Sequence, residues 1–284
     1  MGKANKVKRE FRDAREMVEL IQTLKDIADN KFFTLMGQKA KFRRFGETFV
    51  DFFRLISFTK AKHPLIGNDN PKTAMVVITA EGSFLGEFNT KVIRRAVEEA
   101  ENLGGVEYIS VGEKGIDRLK QYTPNLKAFP GYENIGLYES AVEIKNYLVD
   151  GVMKGQFGKV MVCYSFPKSF DIQKARIVKL LPADELITKQ AQFADLADKR
   201  VIEESDPGQL IGFLVNLWVT TRLYEILVDT IIAASAAQAK FLDDSVDKMK
   251  KERDKVKVKF RKARKGDIDK SLRETFSARM MVHS

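Results

Sequence analysis

The sequence predicts an α/β protein in which two long terminal helices form an antiparallel left-handed coiled coil, with an α/β domain inserted between them. Three observations carry this. Apolar residues recur every 3.5 residues near the N-terminus, and they do so again over the C-terminal third. The middle instead alternates short apolar runs with helical patterns. A sustained 3.5 period makes a helix that supercoils left-handedly around a partner. Alternating strands and helices build a mostly parallel sheet covered by helices. The expected divisions are 1–62 for the first helix, 73–200 for the inserted domain and 206–284 for the last helix.

The N-terminal seam runs Val7, Phe11, Ala14, Val18, Ile21, Lys25, Ala28, Phe32, Leu35, Lys39, Phe42, Gly46, Phe49, Phe53 and Ile56, and twelve of these fifteen are apolar. No proline precedes Pro64, so nothing interrupts a helix of roughly 75 Å. The C-terminal seam starts at Leu210 and Leu214 and ends at Phe260 and Ala263, with thirteen of sixteen positions apolar. Ser205-Asp206-Pro207 supplies a cap and an early proline, a helix start signal. The register slips by one at Asp267 and continues through Ile268, Leu272, Phe276 and Met280. Neither helix can stand alone with one apolar stripe exposed. Winding around each other satisfies both; pairing of each with its copy in a dimer is the alternative. The run Ala233, Ala234, Ala236, Ala237 and Ala239 suits close backbone approach, and equally suits plain helix propensity.

In the middle, Ala74–Thr79, Val106–Val111, Lys159–Phe166 and Ala175–Leu181 read as strands, and Phe88–Leu103, Ile116–Tyr122 and Tyr138–Val152 as helices. The turn Ala80–Gly86 joins a strand to a helix, the place where phosphate loops occur. It holds neither G-x-G-x-x-G nor G-K-[ST], and Glu81 and Glu87 would repel phosphate, so a structural turn is expected.

The same residues exclude other chemistry. One cysteine, Cys163, allows no disulfide framework or cysteine zinc site, and its apolar strand makes it an inert core residue. His63 and His283 lie far apart. No catalytic residues, metal ligands or cofactor site are expected. The 284 residues are 44% hydrophobic and 31% charged. No uninterrupted apolar run approaches the roughly 20 residues of a membrane span, and the basic N-terminus is followed by no apolar core of a signal peptide. The expectation is a reduced, cytoplasmic, soluble protein.

The net charge of +10 is uneven. Residues 1–62 hold 15 basic and 8 acidic side chains, residues 206–284 hold 16 and 11, and the remaining middle 18 and 20. Basic ends suit an acidic partner. The stretch Lys248–Lys265 contains eleven basic residues against Glu252 and Asp254. At spacings of three and four, Lys248, Lys251, Lys255, Lys259 and Lys262 form one stripe. A solvated helix face and a bearing against an acidic protein surface both fit such a run.

Several segments resemble, in order, the gamma subunit of F-type ATP synthases. Ile21-Gln22-Thr23-Leu24-Lys25 is similar to its N-terminal helix, and Val76–Asn89 resembles its VITSDRGLCGGLN-like strand-turn-helix signature. Ile109–Gly115 resembles its second strand and turn, and Ala234–Lys240 its ASEHAAR-like stretch. Phe260-Arg261-Lys262-Ala263-Arg264 with Ile268 resembles the terminal NRARQxxIT signature. Departures are Asn30 at a usual Met, Lys265 at a Gln and Asp269 at a Thr.

The resemblance implies a central rotor shaft, non-catalytic by itself, beside a Rossmann-like foot domain. The implied partners are the catalytic and non-catalytic subunits of a hexameric ATPase ring, an epsilon-like subunit and a membrane rotor ring, with no nucleic acid. The implied work is ATP synthesis coupled to ion transport, at the cytoplasmic face of the inner membrane, peripherally and without a transmembrane segment. Partner contact is expected at Lys8, Arg9, Arg12, Lys25, Lys255, Lys259, Arg261, Lys262, Arg264 and Met280. Rival readings are a basic coiled-coil nucleic-acid-binding or scaffold protein, and a nucleotide-using enzyme built on the middle domain.

Overall fold

The structure, a computed structural model, describes residues 3–54, 63–184, 186 and 207–282, with side chains at 5–39, 63–184, 186 and 208–279. The seam positions Phe42, Gly46, Phe49, Phe53 and Ile56 and the cap Ser205-Asp206 therefore lie outside the described side chains. Helix α1 spans Lys3–Arg54, and the last helix, α6, spans Pro207–Val282 with the proline in its first position. The chain divides into two compact units: Met1–Asp29 with Gln238–Ser284, and Asn30–Ala237.

The larger unit holds strands β1 (Thr73–Ile78), β2 (Glu107–Val111), β3 (Lys127–Phe129), β4 (Lys159–Pro167) and β5 (Gln173–Leu181). Their order is β3-β2-β1-β4-β5. All neighbours are parallel except β4 and β5, which form an antiparallel pair at the edge. The helices between them are α2 (Phe88–Asn102), α3 (Glu113–Leu119), α4 (Tyr132–Ile135) and α5 (Leu137–Met153). Strand residues alternate between the two faces. Met75, Val77, Tyr108 and Cys163 meet Val92, Ile93 and Ala96 of α2 and Leu119 of α3. Val76, Ile78, Ile109 and Val162 meet Ala141, Ile144 and Leu148 of α5 and a long face of α6. The unit is three layers, with β1 buried along its whole length.

The first part of α6 follows the seam drawn on the sequence only in part: Leu214, Val228, Ile231 and Ser235 are buried as expected, but a second set of positions is buried as well. Ile211, Val215, Val219, Leu223 and Ile226 are fully buried against the sheet side, while the seam residue Leu217 is exposed. Here α6 is apolar on nearly every side, so a 3.5 period can be drawn in several phases; the sheet selects the one it can bury. By length and composition α6 also holds a window apolar enough to cross a membrane, of mean hydropathy 1.3, and half of that window is buried inside the protein. Its buried hydroxyls are satisfied locally: Thr230 and Ser235 donate to the carbonyls of Ile226 and Ile231, each at 2.9 Å.

In the smaller unit α1 and α6 run antiparallel. Phe11 stacks on Phe260, with centroids 6.1 Å apart, and Lys25 pairs with Asp243 at 2.8 Å. The inward positions follow the expected seam: Val18, Ala28, Leu242 and Val246 are buried, and Phe11, Ala14, Ile21, Met249, Val256, Phe260 and Ala263 half-buried. Beyond Ala263 the described side chains of α6 are all exposed.

Candidate partner-binding surface

The crevice past the C-terminal ends of parallel strands is where α/β sheets hold ligands. Here it is filled by protein. Ala80, just after β1, and Phe88 pack on Ala233 and Ala234 of α6, with Leu85 and Ala237 at the margin. The small residues thus admit the domain to the helix, and Ala236 packs on Phe32 of α1. Side-chain amide Asn89 donates to the Ala80 carbonyl at 2.8 Å and accepts from its N–H at 2.9 Å, tying off the strand end. Glu81 has a use other than repulsion. Its carboxylate accepts from the Gly131 N–H at 2.6 Å and the Glu133 N–H at 3.3 Å, capping α4. Glu133 in turn accepts from the Glu81 N–H at 3.4 Å and pairs with Lys31 of α1 at 3.3 Å. Gly112, at φ +91°, lets α3 begin against β1, since a Cβ there would lie 2.3 Å from the Thr79 carbonyl oxygen.

Cys163 is fully buried, its Sγ 3.4 Å from the Val92 carbonyl, and burial pushes its thiol up to about 12. The His63 Nδ1 accepts from the Leu65 N–H at 3.2 Å, and burial lowers its pKa. Among the described residues no three His, Cys, Asp or Glu side chains are grouped to hold a metal.

The surface of the smaller unit carries the charge. Lys8, Arg9 and Arg12 are exposed on α1, with Arg12 near Asp13 and Glu16 of its own helix at 3.7 and 3.6 Å. On α6, Lys255, Lys259, Arg261, Lys262 and Arg264 are exposed. The two acids of that stretch are taken locally: Glu252 pairs with Lys255 at 2.6 Å and Asp254 with Arg253 at 2.8 Å. The Lys255 hydrogen bond is the first cause of the lowered Glu252 pKa. The Phe11–Phe260 stack sets Lys8, Arg9 and Arg12 alongside Lys259–Arg264, so basic side chains of both helices collect at one end. Lys25 sits apart from them, half-buried in the seam, and its bond to Asp243 raises its pKa. Met280 lies beyond the described side chains. The acidic partners Asp243 and Asp229 escape a seam reading because each lies one residue off it. A second surface feature is an exposed apolar stripe on α1, Met17, Leu20 and Ile27.

A family model described as ATP synthase matches residues 3–279. The chain belongs to the ATP synthase gamma family. Relatives in this family include the ATP synthase gamma chain of Desulforamulus reducens, 23% identical over 280 residues that cover 96% of this chain and 97% of that one. The gamma chain of Pelotomaculum thermopropionicum is 26% identical over 215 residues, covering 75% of this chain and 74% of its own. The fold is similar to a chain of the central stalk and c-ring structure of Tetrahymena thermophila mitochondrial ATP synthase, with a TM-score of 0.61 and 16% identity over 80% of this chain and 99% of that one. It is also similar to a chain of the Euglena gracilis mitochondrial ATP synthase rotor, with a TM-score of 0.59 and 13% identity over 93% and 98% of the two chains.

Proposed function

We propose that this chain is the central rotor shaft of a rotary F-type ATP synthase. The observation that carries it is the family match along nearly the whole chain, on a paired-helix lever whose outer faces differ. One face of the lever is the lysine stripe Lys248–Lys262; another is Met17, Leu20 and Ile27. A ring of like subunits around such a lever meets a different chemistry at each angle. Shaft angle and nucleotide affinity are then coupled, and the coupling acts in both directions. The chain itself is non-catalytic, and nucleotide and its catalytic groups belong to the ring subunits. The basic end, with Lys8, Arg9, Arg12, Lys255, Lys259, Arg261, Lys262 and Arg264, bears on acidic surfaces of those subunits, and Lys25 and Met280 lie on the same shaft. The α/β unit is the foot, engaging an epsilon-like subunit and an ion-driven membrane rotor ring, so that the chain is held peripherally at the inner membrane.

The test is reconstitution with the catalytic and non-catalytic ring subunits. A bead fixed to a cysteine introduced at an exposed position of the α/β unit, Lys91→Cys, should turn in one direction with magnesium-ATP. A chain that brings down no ring subunit, and that retards DNA until high salt releases it, overturns the proposal in favour of the nucleic-acid reading.

A further inference from the structure

The described seam of α1 contains two charged residues, Lys25 and Lys39. Both are answered by an aspartate of α6. Lys25 pairs with Asp243 at 2.8 Å, and Lys39 pairs with Asp229. The lysines are fourteen residues apart, two heptads, and so are the aspartates. In antiparallel helices the residue numbers of facing partners add to a nearly constant value; both pairs give 268, and the Phe11–Phe260 stack gives 271, within one helical turn of it. One pair lies in each compact unit. The Asp229 side chain is only 7% exposed, and the Lys39 Nζ also sits 5.3 Å over the ring of Phe166 in β4. Arg222 and Glu225, the other charges near Asp229, pair with each other at 2.9 Å.

The apolar seam alone does not choose an axial register, because a slide of one heptad again sets apolar residues against apolar residues. The charges do choose. A slide in one direction puts Lys39 opposite Arg222 and Asp229 opposite Phe32, and leaves Lys25 facing Ala236. The opposite slide puts Lys25 opposite Lys250 and Asp243 opposite Phe32, and leaves Lys39 facing Ala236. Each wrong register therefore combines a like-charge encounter with a carboxylate against a phenyl ring. Breaking a buried pair is strongly unfavourable, while replacing both members by apolar groups is often neutral or stabilising. Such pairs are thus suited to specificity more than to stability.

We propose that Lys25–Asp243 and Lys39–Asp229 form a two-point register lock that fixes the axial alignment of α1 on α6. This does not depend on the identity of the partners. A shaft that transmits rotation needs one alignment, and the lock supplies it where apolar packing is degenerate.

The experiment uses the full chain with spin labels at Thr23→Cys and Val258→Cys, both exposed. Cys163, buried with its thiol raised to about 12, stays unlabelled. The labels are offset by about 20 Å along the helices, and each heptad of slip changes that offset by about 10 Å. The native chain should give one distance. The variant Lys25→Met/Lys39→Met/Asp229→Leu/Asp243→Leu should melt no lower than the native chain, yet show further distances displaced by about one heptad. If this variant does not fold, the isosteric Asp229→Asn/Asp243→Asn chain decides in its place, by the same gain of displaced distances. A single unchanged distance in the variant that decides overturns the lock: register would then come from packing on the α/β unit and from the Lys31–Glu133 pair.

Discussion

One helix, α6, is two different objects in the two units. From Ile211 to Ala236 it is a core element, buried on most sides between a sheet face, α5 and α1. From Gln238 to Ala263 it buries a single stripe against α1, and beyond that its described side chains are exposed. Composition follows this change: the first part has few charges, and the second carries the lysine stripe. The difference teaches that a lever and its anchor can be one continuous helix. The part in the larger unit derives its stability from three-dimensional packing, whereas the part in the smaller unit keeps only what a two-helix seam offers and leaves its remaining surface exposed.

Alkaline pH should separate the two regions most. In the larger unit burial raises the pKa of Tyr132 and Tyr164 and pushes Cys163 up to about 12. Each is an acid that stays protonated in the fold and ionises more readily unfolded. Its contribution is present below the unfolded pKa, about 8.5 for the thiol and 10 for the phenols, and is lost as pH rises above it. The slope reaches about 1.4 kcal/mol per pH unit for each group. Lys25 in the smaller unit has the opposite origin, since Asp243 raises a cation's pKa. Its contribution is complete below the ordinary lysine value and disappears only through the raised one. Urea unfolding followed by the single tryptophan, Trp218, should thus show a steep fall in stability of the larger unit between pH 9 and about 11. A flat profile there would contradict the burial of these groups.

The same substitution in the two regions gives the next contrast. Leu223 is fully buried in the three-layer core, and Leu242 is 1% exposed in the seam. Leu→Ala in a core costs about 2–5 kcal/mol, depending on how far the surroundings collapse into the cavity. Leu223→Ala should cost about 4 kcal/mol, because sheet and helices hold the space open. Leu242→Ala should cost about 2 kcal/mol, because two helices can close on it. Equal urea midpoints for the two variants would remove the distinction between rigid anchor and adjustable lever. Glu81→Ala, which leaves the Gly131 and Glu133 N–H groups without their carboxylate, should cost about 2 kcal/mol. Glu81→Gln should recover part of this, because an amide oxygen can still accept.

These contrasts also mark how far the sequence could be read. The described seam of α1 was legible, since the 3.5-residue phase from Val7 to Lys39 is the one that packs inward, with Val18, Ala28 and Phe32 buried, while the second apolar stripe of Met17, Leu20 and Ile27 stays exposed. The first part of α6 was legible only in part, because an apolar residue stands at almost every phase: Leu214, Val228 and Ile231 of the seam are buried, but so are Ile211, Val215, Val219 and Leu223 beside it. Strands β1, β2, β4 and β5 were legible as apolar runs, whereas β3 with three residues and α4 with four are too short for any period to register. Helix α3 begins three residues before its expected start, at Glu113, because Gly112 supplies the turn there. Of the candidate surface, the lysine stripe was readable from spacing. The aspartates that answer Lys25 and Lys39 were hidden beside the seam, and the capping role of Glu81 depends on a loop fifty residues away.

The smallest effect on the fold, and the most informative for the surface, is expected from Lys255→Glu/Lys259→Glu/Lys262→Glu. All three side chains are exposed, and only Lys255 has a local ion pair described, with Glu252. Exposed pairs contribute about 0–1 kcal/mol and are screened by salt. The reversal also relieves repulsion with the neighbouring Lys248, Lys251 and Arg261. Folding stability should therefore move by no more than about 0.5 kcal/mol. Binding to an acidic partner surface should respond differently, because three charges that attract it become repulsive together. Assembly with the ring, or ATP turnover of the assembled complex, should fall in a graded way, more at low salt than at high salt. The control is Lys91→Glu on α2 of the larger unit, an exposed lysine outside the lever, which should leave assembly at the native level. Assembly and turnover unchanged across salt in the triple variant would make the stripe a solvated face, and the lever's grip on its partners would then rest on the apolar stripe of Met17, Leu20 and Ile27.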